Sequence, residues 1–201
     1  MIIALTAMYR ATGLKRYLDA AEKAVSALLK WQDPYRGLWS HKLDPNECRH
    51  RPQCEGGKPF MVGIVLEGLK NYHKITGDEK VKQCILKAVE WLLREAWIPK
   101  DGGFYYSSCL TFKNRGLAFL NYLIIEGIGY AYELSGKRKY LELGLQALNA
   151  ALPSIEKGFT GEKGRPVNGK AYAQATRSSP RFIYLLQKLG ITERDLSAQI
   201  S

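Results

Sequence analysis

Asp44 and Glu47 stand three residues apart in a polar stretch that also holds His41, Arg49, His50 and Arg51. Two nearby carboxyls are what glycoside hydrolysis requires, one as acid and the other as base or nucleophile. The plainer account of the same residues is a solvated loop, with Asp44-Pro45 as a turn and Asn46 and Glu47 as caps. A second constellation pairs Tyr105 or Tyr106 with His41 or His50. Such an acid/base pair can abstract a proton beside a uronate carboxylate, provided that cations such as Arg115, Arg177 or Arg181 neutralise the developing charge. The plainer account of these tyrosines is rim packing after Gly102-Gly103. The residues that would carry catalysis are therefore Asp44, Glu47, His41 and Tyr105. Those that would hold substrate are Trp39, Arg49, His50, Tyr106, Arg115, Arg177 and Arg181.

Four cysteines are present, Cys48, Cys54, Cys84 and Cys109. Cys48 and Cys54, with His50 and His41 nearby, have three readings: a zinc site, a local disulfide or two free thiols. Their five-residue spacing lies outside the two to four of common zinc motifs, so free thiols are the default, and neither a metal nor a cofactor is assigned. Cys84 falls on a helical stripe and reads as packed core. Cys109 gives no signal. His73 ends a helix, where a protonated imidazole is favourable.

The chain has 201 residues and a net charge of +11, from 30 Lys and Arg against 19 Asp and Glu. Such a surface suits acidic partners. Three segments, 37–59, 98–118 and 153–181, hold 13 of the basic residues and only 6 of the acidic ones. They also hold Trp39, His41, Phe104, Tyr105, Tyr106, Phe112, Phe159 and Tyr172. Aromatic faces beside cationic forks suit sugar rings that bear carboxylate or sulfate. No phosphate loop, dinucleotide fingerprint or Asp-rich diphosphate motif occurs, and no nucleic-acid module is recognisable. No apolar run is long enough to span a bilayer, so no membrane partner is expected. The cellular compartment is left open.

These residues must be positioned by a repeat. Tyr9-Arg-Ala-Thr-Gly13, His73-Lys-Ile-Thr-Gly77 and Tyr132-Glu-Leu-Ser-Gly136 each close one helix and open the next. An Ala follows eleven residues after each Gly (Ala24, Ala88, Ala147), and farther on come Gly37-Leu-Trp39, Gly103-Phe-Tyr105 and Gly158-Phe159. Recurrence at fixed offsets predicts a helix-hairpin repeat. Inner helices are expected over 2–11, 60–75, 117–134 and 171–189, apolar all round. Outer helices with a single stripe are expected over 14–31, 78–95 and 137–152, the last stopped by Pro153. The fourth inner helix should restart after Pro180. Short turns should gather at one end and long loops at the other.

The repeated Tyr-x-x-x-Gly turn, Ala88-Val89-Glu-Trp-Leu92-Leu93 and Asp101-Gly-Gly-Phe-Tyr-Tyr together resemble the six-hairpin glycosidase-like, or (α/α) toroid, superfamily. The resemblance covers nearly the whole chain. It implies an all-α domain over 1–201 with about seven main helices, a part of an (α/α) toroid. It also implies carbohydrate chemistry, hydrolysis or β-elimination, on an anionic polysaccharide at the long-loop face. Toroids of this kind close a ring of five to seven hairpins, whereas this chain supplies three and a half. A fragment, a homodimer or a missing domain that completes the ring is therefore expected. The alternative is a non-catalytic helical-repeat module that completes a larger enzyme or docks a protein partner.

Overall fold

A computed structural model describes residues 1–109, 116–160 and 169–191. The protein is all-α, with seven helices among the described residues: α1 (Ile2–Thr12), α2 (Lys15–Trp31), α3 (Pro59–Thr76), α4 (Glu79–Trp91), α5 (Tyr122–Ser135), α6 (Arg138–Thr160) and α7 (Gly169–Lys188). The inner helices α1, α3, α5 and α7 pack side by side in chain order, and each of α2, α4 and α6 packs on the inner helix before it and touches the one after.

The three hairpin turns share one design. Gly13, Gly77 and Gly136 all adopt the left-handed conformation, φ 66° to 68°, and their N–H groups donate to Tyr9, His73 and Tyr132 carbonyls at 2.8 Å. The hydroxyl before each Gly works twice. Thr12, Thr76 and Ser135 donate to the carbonyls of Met8, Tyr72 and Ala131 and accept from the N–H groups of Leu14, Asp78 and Lys137. This double use satisfies groups that a helix end otherwise leaves open. A Cβ on Gly77 would meet nothing within 4 Å, so Gly77→Ala costs only its backbone conformation. We expect about 1–2 kcal/mol, read as a lower urea midpoint with an unchanged slope.

The outer helices bury the expected stripe. Ala21 and Val25 on α2, and Val81, Cys84, Ile85, Ala88 and Val89 on α4, are buried, with Asp78 capping α4 through Lys80 N–H at 2.8 Å. Burial pushes the Cys84 thiol up to about 12, the behaviour of a packed core cysteine.

Four expectations need correction. α4 ends at Trp91 and continues as a wider π-helical turn, Leu92–Ala96. Pro153 does not stop α6, which runs through it to Thr160, and Pro180 does not restart α7, which is continuous from Gly169. A proline breaks a helix only by one lost N–H and a local clash, and packing of α7 against α5 and α6 outweighs that. The inner helices are not apolar all round: Glu67, Lys70 and Asn71 on α3 and Glu126 on α5 are buried. His73 accepts from or donates to the Tyr130 hydroxyl at 2.7 Å, and burial pushes its pKa below the usual value, which favours the neutral ring over the imidazolium expected from the helix end.

The long loops carry short ladders. β1 (His41–Lys42) pairs antiparallel with β2 (Glu55–Gly56), and β3 (Trp97–Ile98) with β4 (Gly103–Phe104). The two loops meet: Ser108 N–H donates to the Gly57 carbonyl at 3.0 Å, and Gly57 N–H to Ser108 Oγ at 2.8 Å. Both therefore emerge at one end of the helical layers. Elsewhere Met1, Ile2, Ile3, Ala24, Leu28 and Trp31 help to line an apolar groove of ≈ 560 Å³ beside α3. Among the described residues, no helix is long and apolar enough to cross a membrane.

Candidate functional site

The loop face is built where α3 begins. Lys58 caps α3 in an extended conformation, ahead of Pro59 at the first helical position. Its ammonium lies 2.8 Å from Glu47 Oε1 and 3.5 Å from Asp44 Oδ2. Hydrogen bonding to Glu47 raises the Lys58 pKa, against the opposing effect of burial. Glu47 is buried and also accepts from Asp44 N–H at 3.4 Å, whereas Asp44 is exposed. The same ammonium sits 5.7 Å from the centre of the Tyr106 ring, and that ring is tilted against Phe60 with centroids 5.4 Å apart. Asp44, Glu47, Lys58 and Tyr106 thus converge at one place.

A second cluster lies inside the β1–β2 hairpin. The Sγ of Cys48 is 3.1 Å from Cys54 Sγ and 3.1 Å from His50 Nδ1. Cys109, from the other long loop, is 3.6 Å from Cys54 Sγ and 3.7 Å from His50 Nδ1. All four ligand atoms fall within 4.8 Å of one another. Burial pushes the Cys48 thiol up, yet hydrogen bonds from Cys54, His50 and Cys109 outweigh it and bring it down to about 7. Burial and its two cysteine neighbours push Cys54 up to about 11. One sulfur of the group is therefore the preferred seat of negative charge.

A third cluster joins the inner helices. Arg177 on α7 reaches Glu67 on α3 at 2.9 Å, and Arg181 reaches Glu126 on α5 at 2.8 Å and Glu67 at 3.8 Å. Lys70 contacts the same Glu126 oxygen. Both carboxylates are buried, while the arginine side chains remain 41% and 51% exposed. Burial, then Arg181 and Lys74, push the Lys70 ammonium down to about 7 against the pull of Glu67 and Glu133.

The sequence-derived sites are thus brought together only in part. Asp44, Glu47 and Tyr106 meet around Lys58, which composition and spacing did not single out. Arg177 and Arg181 do not sit in a rim loop; they lie on α7 and are engaged by Glu67 and Glu126. Trp39 turns inward, donating its Nε1–H to the Leu28 carbonyl at 2.8 Å and lining the apolar groove. His41 is exposed in the β1–β2 ladder opposite Gly56 and is not part of the cysteine cluster. Arg49 is exposed, and His50 turns its Nδ1 to Cys48. Tyr105 is half-buried, its N–H donating to the Ala96 carbonyl at 2.9 Å. Arg115 and Phe112 lie outside the described residues.

Cys48 and Cys54 are free thiols, as the default had it, with His50 beside them; the sequence reading missed Cys109 and set His41 in a group it does not join. No local signal pointed to Cys109, which is 55 residues from its partner Cys54. Glu67 and Glu126 did have a signal. Leu66-Glu67-Gly68-Leu69 and Ile125-Glu126-Gly127-Ile128 stand at the same offset, ten residues from Glu to closing Gly. No protein-family model matches the chain, and none of the curated proteins matches it.

Proposed function

We propose that this domain grips an acidic polysaccharide at the long-loop face, as part of an (α/α) toroid. The observation that carries the reading is the Lys58 constellation. Tyr106, backed by Phe60, offers a ring face to the C–H side of a pyranose. Lys58 orients Tyr106 and Asp44, Asp44 accepts from sugar hydroxyls, and the excess of Lys and Arg over Asp and Glu favours an anionic polymer. Glu47 is buried and already paired with Lys58 at 2.8 Å, so its place in the site is structural support for binding.

Affinity electrophoresis against a panel of uronate and sulfated polymers tests this. The parent should be retarded by at least one polymer, and Tyr106→Ala should weaken that binding about tenfold, equivalent to ~1.4 kcal/mol. A parent that ignores every polymer would refute the reading. So would retardation equal for all polyanions, RNA included, and abolished alike by modest salt, because that is charge without recognition.

A further inference from the structure

We propose that Cys48, His50, Cys54 and Cys109 bind one zinc ion that staples the two long loops together. This inference is independent of the polysaccharide reading. Three sulfurs and one imidazole nitrogen form a ligand set suited to a closed, structural zinc site. Zinc bonds of ~2.3 Å to sulfur and ~2.05 Å to nitrogen, at tetrahedral angles, place sulfurs about 3.8 Å apart and sulfur from nitrogen about 3.6 Å. The observed separations between sulfurs, 3.1 and 3.6 Å, fall short of that spacing by about 0.2–0.7 Å, and those from sulfur to nitrogen, 3.1 and 3.7 Å, lie either side of theirs. Every remaining pair lies within 4.8 Å, so side-chain torsions alone can close the sphere.

The surroundings suit a thiolate centre. Cys54 N–H points at Cys48 Sγ at 3.4 Å, the kind of hydrogen bond that stabilises a metal-bound sulfur. Cys48 and Cys109 are fully buried, and His50 is only partly exposed. The apolar content of this region is small: Leu43, Cys48 and Cys109, with Cys54 beside them, form a cluster separate from the main core. So little buried surface cannot by itself order a long polar loop, and a metal would supply what packing does not. The spacing that argued against zinc, Cys48-x5-Cys54, counted only two of the ligands. His50 lies between them, and the fourth ligand comes from across the fold.

The test uses the full chain, purified without chelator after expression in zinc-supplemented medium. Elemental analysis should find one zinc per chain, and cobalt loaded into the emptied protein should give the thiolate charge-transfer and tetrahedral visible bands. Cys109→Ser should weaken zinc by more than the roughly 10–100-fold typical of changes to groups that merely orient a ligand. Cys84→Ser should keep full stoichiometry. His50→Cys preserves four ligands; it should retain zinc and shift the cobalt spectrum, which separates lost ligation from misfolding. Absence of zinc with no cobalt charge-transfer band would overturn the proposal. So would an intact mass two hydrogens light with Cys48 and Cys54 linked, or iron in place of zinc at full occupancy.

Discussion

Glu126→Ala should cost about 3–5 kcal/mol of unfolding free energy, because it strips the carboxylate from a buried ion pair and leaves the cations behind. Lys70 is buried and touches Glu126, and Arg181 bonds the same oxygen at 2.8 Å. Glu67 compensates only in part, because it is already bonded to Arg177 and lies 3.8 Å from Arg181. Lys70→Leu combined with Glu126→Leu should be far less damaging than the sum of the single changes, since a matched apolar pair removes both desolvation costs together. The alanine variant should also gain pH dependence. Burial, Arg181 and Lys74 push Lys70 below its unfolded value even in the parent. Without Glu126 the push is stronger. A folded-state lysine pKa below the unfolded one means that the unfolded chain binds more protons, so stability rises with pH through that window. Relative to the parent, the deficit should therefore shrink as pH rises towards about 7, where Lys70 of the parent gives up its proton as well. Urea titrations of parent, single and double variants measure all of this. A single variant within about 1 kcal/mol of the parent would mean that the cluster is solvated, not buried.

The repeat was legible because its signals are local. Thr76 and Gly77 do one job within a single helix turn, and the same pair of functions recurs at Thr12-Gly13 and Ser135-Gly136. The stripe of α4 is likewise written in consecutive residues. What escaped the sequence depends on distant partners. Pro153 and Pro180 were read as breakers because their chain neighbours give no sign of the α5–α6–α7 packing that overrides them. Lys58 looked like one more loop cation until Glu47, eleven residues earlier, folded back on it. Arg177 and Arg181 looked unpartnered because Glu67, more than a hundred residues away, cannot be paired with them by spacing. The loop constellation was half read: the carboxylates were found, but the cation that joins them was not.

Gly63→Ala should be the most damaging single-methyl addition within the inner layer. An ideal Cβ on Gly63 would sit 2.2 Å from the Leu123 carbonyl oxygen and 2.9 Å from Ile124 Cα. These are backbone atoms of the residues that open α5, so no rotamer change can relieve the contact; α3 and α5 must separate. Overpacking of this kind costs about 1–3 kcal/mol, or more where the neighbour cannot move. Alanine's better helix propensity returns only ~1 kcal/mol. We expect a net loss near 2–3 kcal/mol, or a fall in Tm of about 5–10 °C for a domain of this size. Gly68→Ala is the matched control on the same helix. Its Cβ would meet only the Ile2 side chain, at 3.3 Å, with nothing else closer than 3.6 Å. That change should be neutral or stabilising by up to ~1 kcal/mol. Equal thermal shifts in the two variants would show that α3 and α5 are not in backbone contact at this crossing. Gly63 would then have no packing role. An opposite pair of shifts would fix the distance between the inner helices, on which the placement of Glu67, Lys70 and Glu126 depends.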